Sequence, residues 1–185
     1  MAYSSIAQSG FLLVSVASAS LQGTEALLFY STVYVLMTYL LFFYLQYFEN
    51  RAFTTIAAFE GSGKVFLWPS IFMLVGFIAL TGLPPTAGFT GKLFLFSALW
   101  ETYAASGQEI LLWLLVFGLL NTVVSLFFYL RIPYYAFIRP PQQNIPVNNL
   151  TFENLLGVFL VLLILLLFFS PQLLMGWINK SNFAF

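Results

Sequence analysis

A long apolar stretch with a double proline near its middle constrains the fold more than any other feature of the chain. A straight helix over residues 65–100 would be about 54 Å long, whereas the hydrocarbon core of a bilayer is about 30 Å thick. Pro84 and Pro85 remove two backbone donors and free the carbonyls one helical turn earlier, near Leu80 and Thr81. We therefore predict one broken helix, whose unpaired backbone faces protein or a water-filled cavity inside the membrane.

The chain as a whole carries too few charged residues to clothe a water-facing surface. Charged residues make up 6% of the sequence and hydrophobic residues 61%, whereas about a quarter of an average soluble domain is charged. The predicted fold class is all-α integral membrane, a single transmembrane domain over residues 1–185 with five transmembrane helices, the third discontinuous. The predicted spans are 2–21, 26–48, 65–100 with a break near 82–88, 110–131 and 154–169.

The first and fifth predicted spans differ in composition, which indicates different surroundings. The first is rich in serine, and small residues suit close packing against other helices. We expect residues 22–25 to form the turn into the second span. The fifth consists almost entirely of Leu, Val, Ile and Phe, so we expect it to face lipid.

Loop charges predict the orientation in the membrane. The loops at 49–64 and 131–153 are expected on one side, and the opposite side carries only Lys180 as a cation. Because matrix or cytoplasmic loops are enriched in Lys and Arg, the N-terminus is predicted on that side and the C-terminus on the other. The first residues lack the positive charge of a targeting peptide, which favours a bacterial protein or one made inside its organelle. The cations on the first side are Arg51, Lys64, Arg131 and Arg139.

Missing residue types exclude several kinds of function. The chain has no Cys and no His, and it contains no Asp. These absences exclude iron–sulfur ligation by thiolates and leave little from which to build a metal site or a nucleophilic triad. The net charge of zero gives no indication of nucleic acid as a partner. We therefore expect no cofactor and no metal on this chain.

Lys92 is the one ionisable residue well inside a predicted span. It lies nine residues before Glu101, about 13 Å from the predicted edge of the membrane, where inserting a lysine costs on the order of 3 kcal/mol. Burial away from water favours the neutral amine, so that Lys92 can load and release a proton as a relay. The alternative is a lysine that snorkels or neutralises a partner's carboxylate. Its depth beside the double proline favours the relay.

Two further spans carry polar side chains on one helical face, because these residues are spaced three to four apart. Such a face is either the lining of a hydrated path or a set of hydrogen bonds between helices, each worth roughly 0.6 kcal/mol. For any single residue the second interpretation is favoured. The candidate path-lining residues are Asn121, Thr122, Ser125 and Tyr129, beside Gly118, in the fourth span, and Ser31, Tyr34 and Thr38 in the second.

Three motifs resemble a known family. The segment LPPTAGFTGKLFLF at residues 83–96 resembles the broken twelfth helix of NADH dehydrogenase subunit 2, an antiporter-like subunit of respiratory complex I. The segment AYSSIAQSGFLL at residues 2–13 resembles the opening of that family's tenth helix. The segment FFYLR at residues 127–131 resembles the end of the thirteenth. The resemblance covers essentially the whole chain, in order.

This resemblance implies a fold of fourteen core helices in two inverted repeats, of which the chain matches helices ten to fourteen. It implies a proton-translocating subunit in the membrane arm of NADH:ubiquinone oxidoreductase, with the redox chemistry on other subunits. The location would be the mitochondrial inner membrane, organelle-encoded, with the C-terminus in the intermembrane space, or else the bacterial plasma membrane. Lys92 would be the relay lysine of the second repeat, and Pro84 and Pro85 its helix break. Gln8 stands where many members have His, so no imidazole relay is available there.

The first nine helices of that fold have no counterpart in this sequence. We therefore expect a separate polypeptide to supply them, with other membrane-arm subunits of complex I and membrane lipids as further partners. Two alternatives remain open: a structural membrane module without pumping activity, and a subunit of a multi-subunit cation/proton antiporter. The presence of Lys92 beside its break favours pumping, whereas the missing helices favour the structural module.

Overall fold

The computed structural model describes residues 2–140 and 152–181, and all regular structure in these ranges is helical. This agrees with the predicted all-α class. Within the same ranges, Leu21–Glu49 and Glu109–Phe137 are each long and apolar enough to cross a membrane. Two sharply bent helix pairs, Ala57–Val65 with Leu67–Thr81 and Glu153–Phe169 with Gln172–Lys180, raise the number from 2 to 4 if each pair is counted as one span. The helices are α1 (Ala2–Ala17), α2 (Leu21–Glu49), a 3₁₀ turn (Ala57–Phe59), α3 (Ser62–Val65), α4 (Leu67–Thr81), α5 (Ala87–Ser106), α6 (Glu109–Tyr129), α7 (Arg131–Phe137), α8 (Phe152–Phe169) and α9 (Gln172–Lys180).

The helix α2 forms the centre of the bundle. Phe29, Val33, Met37, Leu40 and Tyr44 are fully buried on it, and their spacing of three to four residues makes one continuous apolar stripe. The helices α1, α4, α5, α8 and α9 all pack against α2. The residues of α1, α4 and α5 that form the site described below are therefore positioned by a common helix.

The connection between α1 and α2 lies earlier in the chain than predicted. We expected the turn at residues 22–25, but α2 begins at Leu21 and those residues form its first turn. Ser20 caps the helix, since its hydroxyl accepts a hydrogen bond from the Gly23 N–H at 3.0 Å. The polar residues that suggested a loop instead occupy the first turn of a helix, where backbone donors are left without helical partners.

The two loops that hold most of the cations meet at one end of the bundle. The Gly61 N–H donates to the Tyr135 carbonyl at 3.1 Å, and an ion pair of 3.8 Å joins Arg51 to Glu153. Residues 131–137, predicted as part of a loop, form the short helix α7. Beneath this end lies the aromatic cluster, whose rings pack on one another at steep angles: Tyr47, Phe48, Phe53, Phe59 and Phe66.

The prediction that the fifth span faces lipid is wrong for one of its faces. Gly157, Ile164 and Leu167 are buried along one stripe of α8, and the Tyr44 hydroxyl donates to the Glu153 carbonyl at 2.8 Å. Composition did not distinguish the two faces of α8 because both are aliphatic or aromatic. The outward face carries exposed apolar side chains, which are Leu155, Val158, Phe159, Leu162, Leu166 and Phe169.

The long apolar stretch is interrupted between α4 and α5. The helix α4 ends at Thr81, and α5 begins after Pro84 and Pro85. Gly82 closes α4 with a φ of 83°, and its N–H donates to the Ile78 carbonyl at 3.1 Å. Many helices end on such a left-handed residue, which strongly favours glycine. The last carbonyls of α4 are thus left without the donors that a continuous helix would supply.

Candidate functional site

Lys92 lies in the second turn of α5 and is buried, with 4% of its surface exposed. Its ammonium donates to the Leu80 carbonyl at 3.1 Å and to the Thr81 carbonyl at 2.9 Å. These are the carbonyls at the end of α4 that the two prolines were expected to leave free. The break and the lysine therefore form one unit: the interruption exposes the acceptors, and α5 brings the donor to them.

An aromatic ring and a glycine complete the surroundings of Lys92. Its Nζ atom lies 4.4 Å from the centre of the Phe11 ring on α1, a distance suited to a cation–π contact. Gly82 lies against the aliphatic part of the lysine, since a Cβ at this position would stand 2.7 Å from its Cδ atom. The side chain is thus packed along its stem and hydrogen-bonded at its tip.

Gln8 connects the Lys92 site to residues on α2 and α6. It is 1% exposed, and its Nε2 atom donates to the Leu80 carbonyl at 3.1 Å and to the Tyr129 hydroxyl at 3.4 Å. The Tyr30 hydroxyl donates to Oε1 of Gln8. The polar network consists of Gln8, Tyr30, Tyr129 and Ser4, whose hydroxyl is hydrogen-bonded to that of Tyr129.

Tyr129 is the member of the predicted α6 stripe that reaches this network. The Thr122 hydroxyl donates to the Gly118 carbonyl at 3.1 Å, and the Ser125 hydroxyl donates to the Thr122 carbonyl at 2.8 Å. Asn121 is exposed. Ser and Thr side chains commonly hydrogen-bond to the backbone of their own helix in this way. The predicted residues of α6 therefore do not form a single site.

The three candidate path-lining residues on α2 have separate surroundings. The Ser31 hydroxyl donates to the Leu27 carbonyl at 2.7 Å, and Tyr34 packs against the main apolar core. The Thr38 hydroxyl oxygen is buried, and it has no hydrogen-bond partner among the residues that the structure describes. None of the three takes part in the contacts given above for Lys92 and the polar network.

Tyr30 and Phe11 were not predicted from the sequence as parts of the site, and Gln8 was identified there only as a residue that replaces histidine. A tyrosine or phenylalanine within an apolar helix most often only packs, so its type gives little signal. The one available signal was a primary amide in an otherwise apolar or small-residue segment, since such a group needs partners when buried. Which partners it finds depends on how α1, α2 and α6 are rotated about their axes.

The chemistry that this arrangement supports is the binding and release of one proton at Nζ of Lys92. A lysine in a water-poor site can exchange between ammonium and amine, which a guanidinium does not. Over residues 2–140 and 152–181, no group of three or more His, Cys, Asp or Glu could hold a metal ion. The expectation that no cofactor binds to this chain stays a prediction.

Comparisons with known sequences agree with one another. Residues 1–125 match the family model described as NADH:quinone oxidoreductase/Mrp antiporter, transmembrane. The chain is 39% identical over 178 residues to NADH-quinone oxidoreductase subunit N of Chlorobium chlorochromatii, covering 92% of this chain and 34% of that protein. It is 33% identical over 144 residues to NAD(P)H-quinone oxidoreductase subunit 2 of Nostoc punctiforme, covering 77% of this chain and 26% of that protein. The chain thus spans about a third of the length of the curated relatives it matches.

A solved structure shares the fold over nearly all of the chain. A chain of respiratory complex I from Thermus thermophilus, solved with bound aureothin, aligns with a TM-score of 0.70 and 28% sequence identity. The alignment covers 95% of this chain and 38% of that one. Sequence and structure comparisons therefore point to the same group of membrane proteins.

Proposed function

We propose that Lys92 carries protons in an antiporter-like subunit of the complex I membrane arm, because this chain belongs to the NADH:quinone oxidoreductase/Mrp antiporter transmembrane family. The family model covers both complex I subunits and cation/proton antiporters. The relatives favour the complex I branch, since they are named as NADH-quinone oxidoreductase subunits. The proposed proton translocation belongs to the assembled complex of which this chain is one part.

The observation that supports the proposal best is a buried ammonium on carbonyls that a broken helix leaves free. Nζ of Lys92 lies 3.1 Å from the Leu80 carbonyl and 2.9 Å from the Thr81 carbonyl. A charge inside a membrane span and an interrupted helix are both costly, and a structural role alone requires neither. Broken helices near the membrane midplane commonly hold the ion sites of transporters. Pro84 and Pro85 are proposed to act by keeping these carbonyls free of backbone donors.

We propose that α4 and α5 form one discontinuous span, so that the chain crosses the membrane five times, with α1, α2, α6 and α8 as the other spans. The cations at the end where the loops at 49–64 and 131–140 meet support placing that end in the cytoplasm or matrix. Lys180 then lies on the opposite side. The bacterial relatives support the plasma membrane as the location rather than the mitochondrial inner membrane.

Further helices are proposed to cover α1 and α6. Only Leu111 and Tyr129 are buried along α6. Asn121 and Ser9 are exposed, although polar groups facing lipid are costly. Other membrane-arm subunits are the proposed partners, and the redox chemistry is proposed to lie on subunits other than this one. That a separate polypeptide supplies the covering helices stays a prediction, which mass spectrometry of the intact complex tests.

The test of the function is the number of protons pumped per NADH oxidised by the assembled complex. Lys92→Met removes the exchangeable proton, and we expect it to lower this ratio while the complex still assembles and oxidises NADH. Lys92→Arg keeps the charge but holds its proton, so we expect it to lower the ratio as well. Lys64→Met is the control, because Lys64 is an exposed lysine on the short helix α3 and its loss should leave the ratio unchanged.

An unchanged ratio in both Lys92 variants would overturn the proposal. The lysine would then be a structural cation, and a membrane module without pumping activity would be the better description of the chain.

A further inference from the structure

Gln8 is deeply buried and joins three other helices to α1. It is 1% exposed, and a primary amide in an apolar bundle costs free energy unless its polar groups are hydrogen-bonded. Its partners are Tyr30 on α2, the carbonyl of Leu80 on α4 and Tyr129 on α6. The same carbonyl accepts a hydrogen bond from Lys92 of α5, so Gln8 and the proposed proton carrier share one acceptor oxygen.

The contacts determine which end of the amide faces which neighbour. A carbonyl oxygen only accepts hydrogen bonds, so the amide nitrogen of Gln8 must face the Leu80 carbonyl, which lies 3.1 Å away. Its oxygen then faces Tyr30, whose hydroxyl donates to it. Tyr30 is fully buried and contacts the Phe11 ring edge-on, so its hydroxyl is held in position. The tyrosine thereby fixes the orientation of the amide.

The Leu80 carbonyl is shared between Gln8 and Lys92. Both donor nitrogens lie 3.1 Å from its oxygen, and a carbonyl oxygen has two lone pairs to accept them. Pro84, four residues further along the chain, has no N–H that would compete for the oxygen. A change in the Gln8 amide therefore reaches the Lys92 ammonium through a single acceptor.

We propose that Gln8, oriented by Tyr30, is a positioning residue that holds the Leu80 carbonyl in place for Lys92. The inference rests on the proposed function of Lys92 as a proton carrier. Both N–H groups of Gln8 are engaged, one with Leu80 and one with Tyr129, and an amide nitrogen has no free lone pair. Gln8 thus sets the position of the acceptor and does not itself carry the proton.

Two variants remove the positioning contacts with little change in volume. Gln8→Met keeps the length of the side chain and loses all its hydrogen bonds, whereas Tyr30→Phe loses one hydroxyl. We expect each to cause a partial loss of protons pumped per NADH, smaller than the loss in Lys92→Met. The double variant should lose no more than Gln8→Met alone, because both changes act through the same amide. Tyr39→Phe is the matched control, since Tyr39 lies on the same helix and is 53% exposed.

Gln8→Glu separates positioning from packing. A protonated carboxyl accepts from Tyr30 and donates to Leu80 as the amide does, whereas a carboxylate cannot donate and attracts the ammonium. The titratable groups that face this position from the helices packed on α1 are Tyr30 of α2, Lys92 of α5 and Tyr129 of α6. We expect the pumping ratio of this variant, relative to the unchanged protein at the same pH, to fall as the pH rises. A ratio without this pH dependence would overturn the positioning role.

Failure of this inference is distinguishable from failure of the proposed function. If Lys92→Met stops pumping while Gln8→Met and Tyr30→Phe pump normally, the positioning role is overturned and the function of Lys92 stands. If Lys92→Met and Lys92→Arg both pump normally, the proposed function is overturned, and this inference is overturned with it. If Gln8→Met does not assemble, Tyr30→Phe and the pH profile of Gln8→Glu decide the question.

Discussion

Gly88 at the start of α5 lies directly against the carbonyl of Ala79 near the end of α4: a Cβ atom at residue 88 would stand 1.8 Å from that oxygen. The same Cβ would stand 3.0 Å from the Sδ atom of Met37 on α2. The two helices of the interrupted stretch approach this closely because a glycine faces the backbone of its neighbour. The approach brings α5 near enough for Lys92 to reach the carbonyls that end α4.

Gly88→Ala should therefore destabilise the bundle by at least about 1–3 kcal/mol, since a backbone carbonyl cannot rotate away from the added methyl group. The melting temperature of the purified complex, or of this chain within it, measures the effect. Gly176→Ala is the control, because nothing lies within 4 Å of a Cβ built at Gly176. Equal melting temperatures for the two variants would contradict the close approach.

Gly82→Ala should lower pumping more than Gly107→Ala. Both glycines end helices with positive φ, 83° and 67°, so alanine at either position costs about 1–2 kcal/mol of backbone strain. At Gly82 the methyl group would also stand 2.7 Å from Cδ of Lys92, whereas at Gly107 nothing lies within 4 Å. Pumping per NADH should fall only in Gly82→Ala, and the same ratio in both variants would show that displacing the lysine does not matter.

Tyr129→Phe and Ser125→Ala should differ although both remove one hydroxyl from α6. The Tyr129 hydroxyl accepts from Gln8 and is hydrogen-bonded to Ser4, so its loss leaves the buried Gln8 amide and the Ser4 hydroxyl with one partner fewer each. The Ser125 hydroxyl donates to a carbonyl of its own helix, and its loss should be nearly neutral. We expect a partial loss of pumping in Tyr129→Phe alone. A loss in Ser125→Ala of the same size would instead favour the whole α6 stripe as the lining of a path.

The absence of cysteine from the sequence allows the proposed orientation to be tested by single-cysteine labelling. Lys64, Arg139 and Lys180 are all exposed, so each can be replaced by cysteine and offered a thiol reagent that does not cross membranes. Lys64→Cys and Arg139→Cys should react from one side and Lys180→Cys from the other. Reaction of all three from the same side would contradict five crossings.

The centre of the site was predictable from the sequence because proline chemistry is local. A proline removes the donor for the carbonyl one turn earlier, so Pro84 and Pro85 pointed to Leu80 and Thr81 without knowledge of the fold. The position of Lys92 on the next helix was readable in the same way, since a lone cation in an apolar span needs acceptors. The ammonium does lie on those two carbonyls, at 3.1 and 2.9 Å.

The rest of the site could not be predicted, because helical periodicity does not show which side chains of different helices meet. Periodicity placed Thr122 and Ser125 on one face, but both hydroxyls are satisfied within their own helix, which the same spacing permits. The bridge from Tyr30 to Gln8 requires a particular rotation of α1 against α2. The turn before α2 was placed too late because a polar first turn capped by Ser20 resembles a loop in composition.

The aromatic cluster where α2 ends has an electrical consequence. Tyr30 and Phe48 are 18 residues apart on α2, so Phe48 of the cluster lies about 27 Å along the helix axis from Tyr30 of the polar network. Its closely packed rings have low permittivity, and an unpaired ion inside them would face a Born penalty of tens of kcal/mol. Any ion that reached the polar network from this end of the bundle would therefore have to pass beside the cluster and not through it.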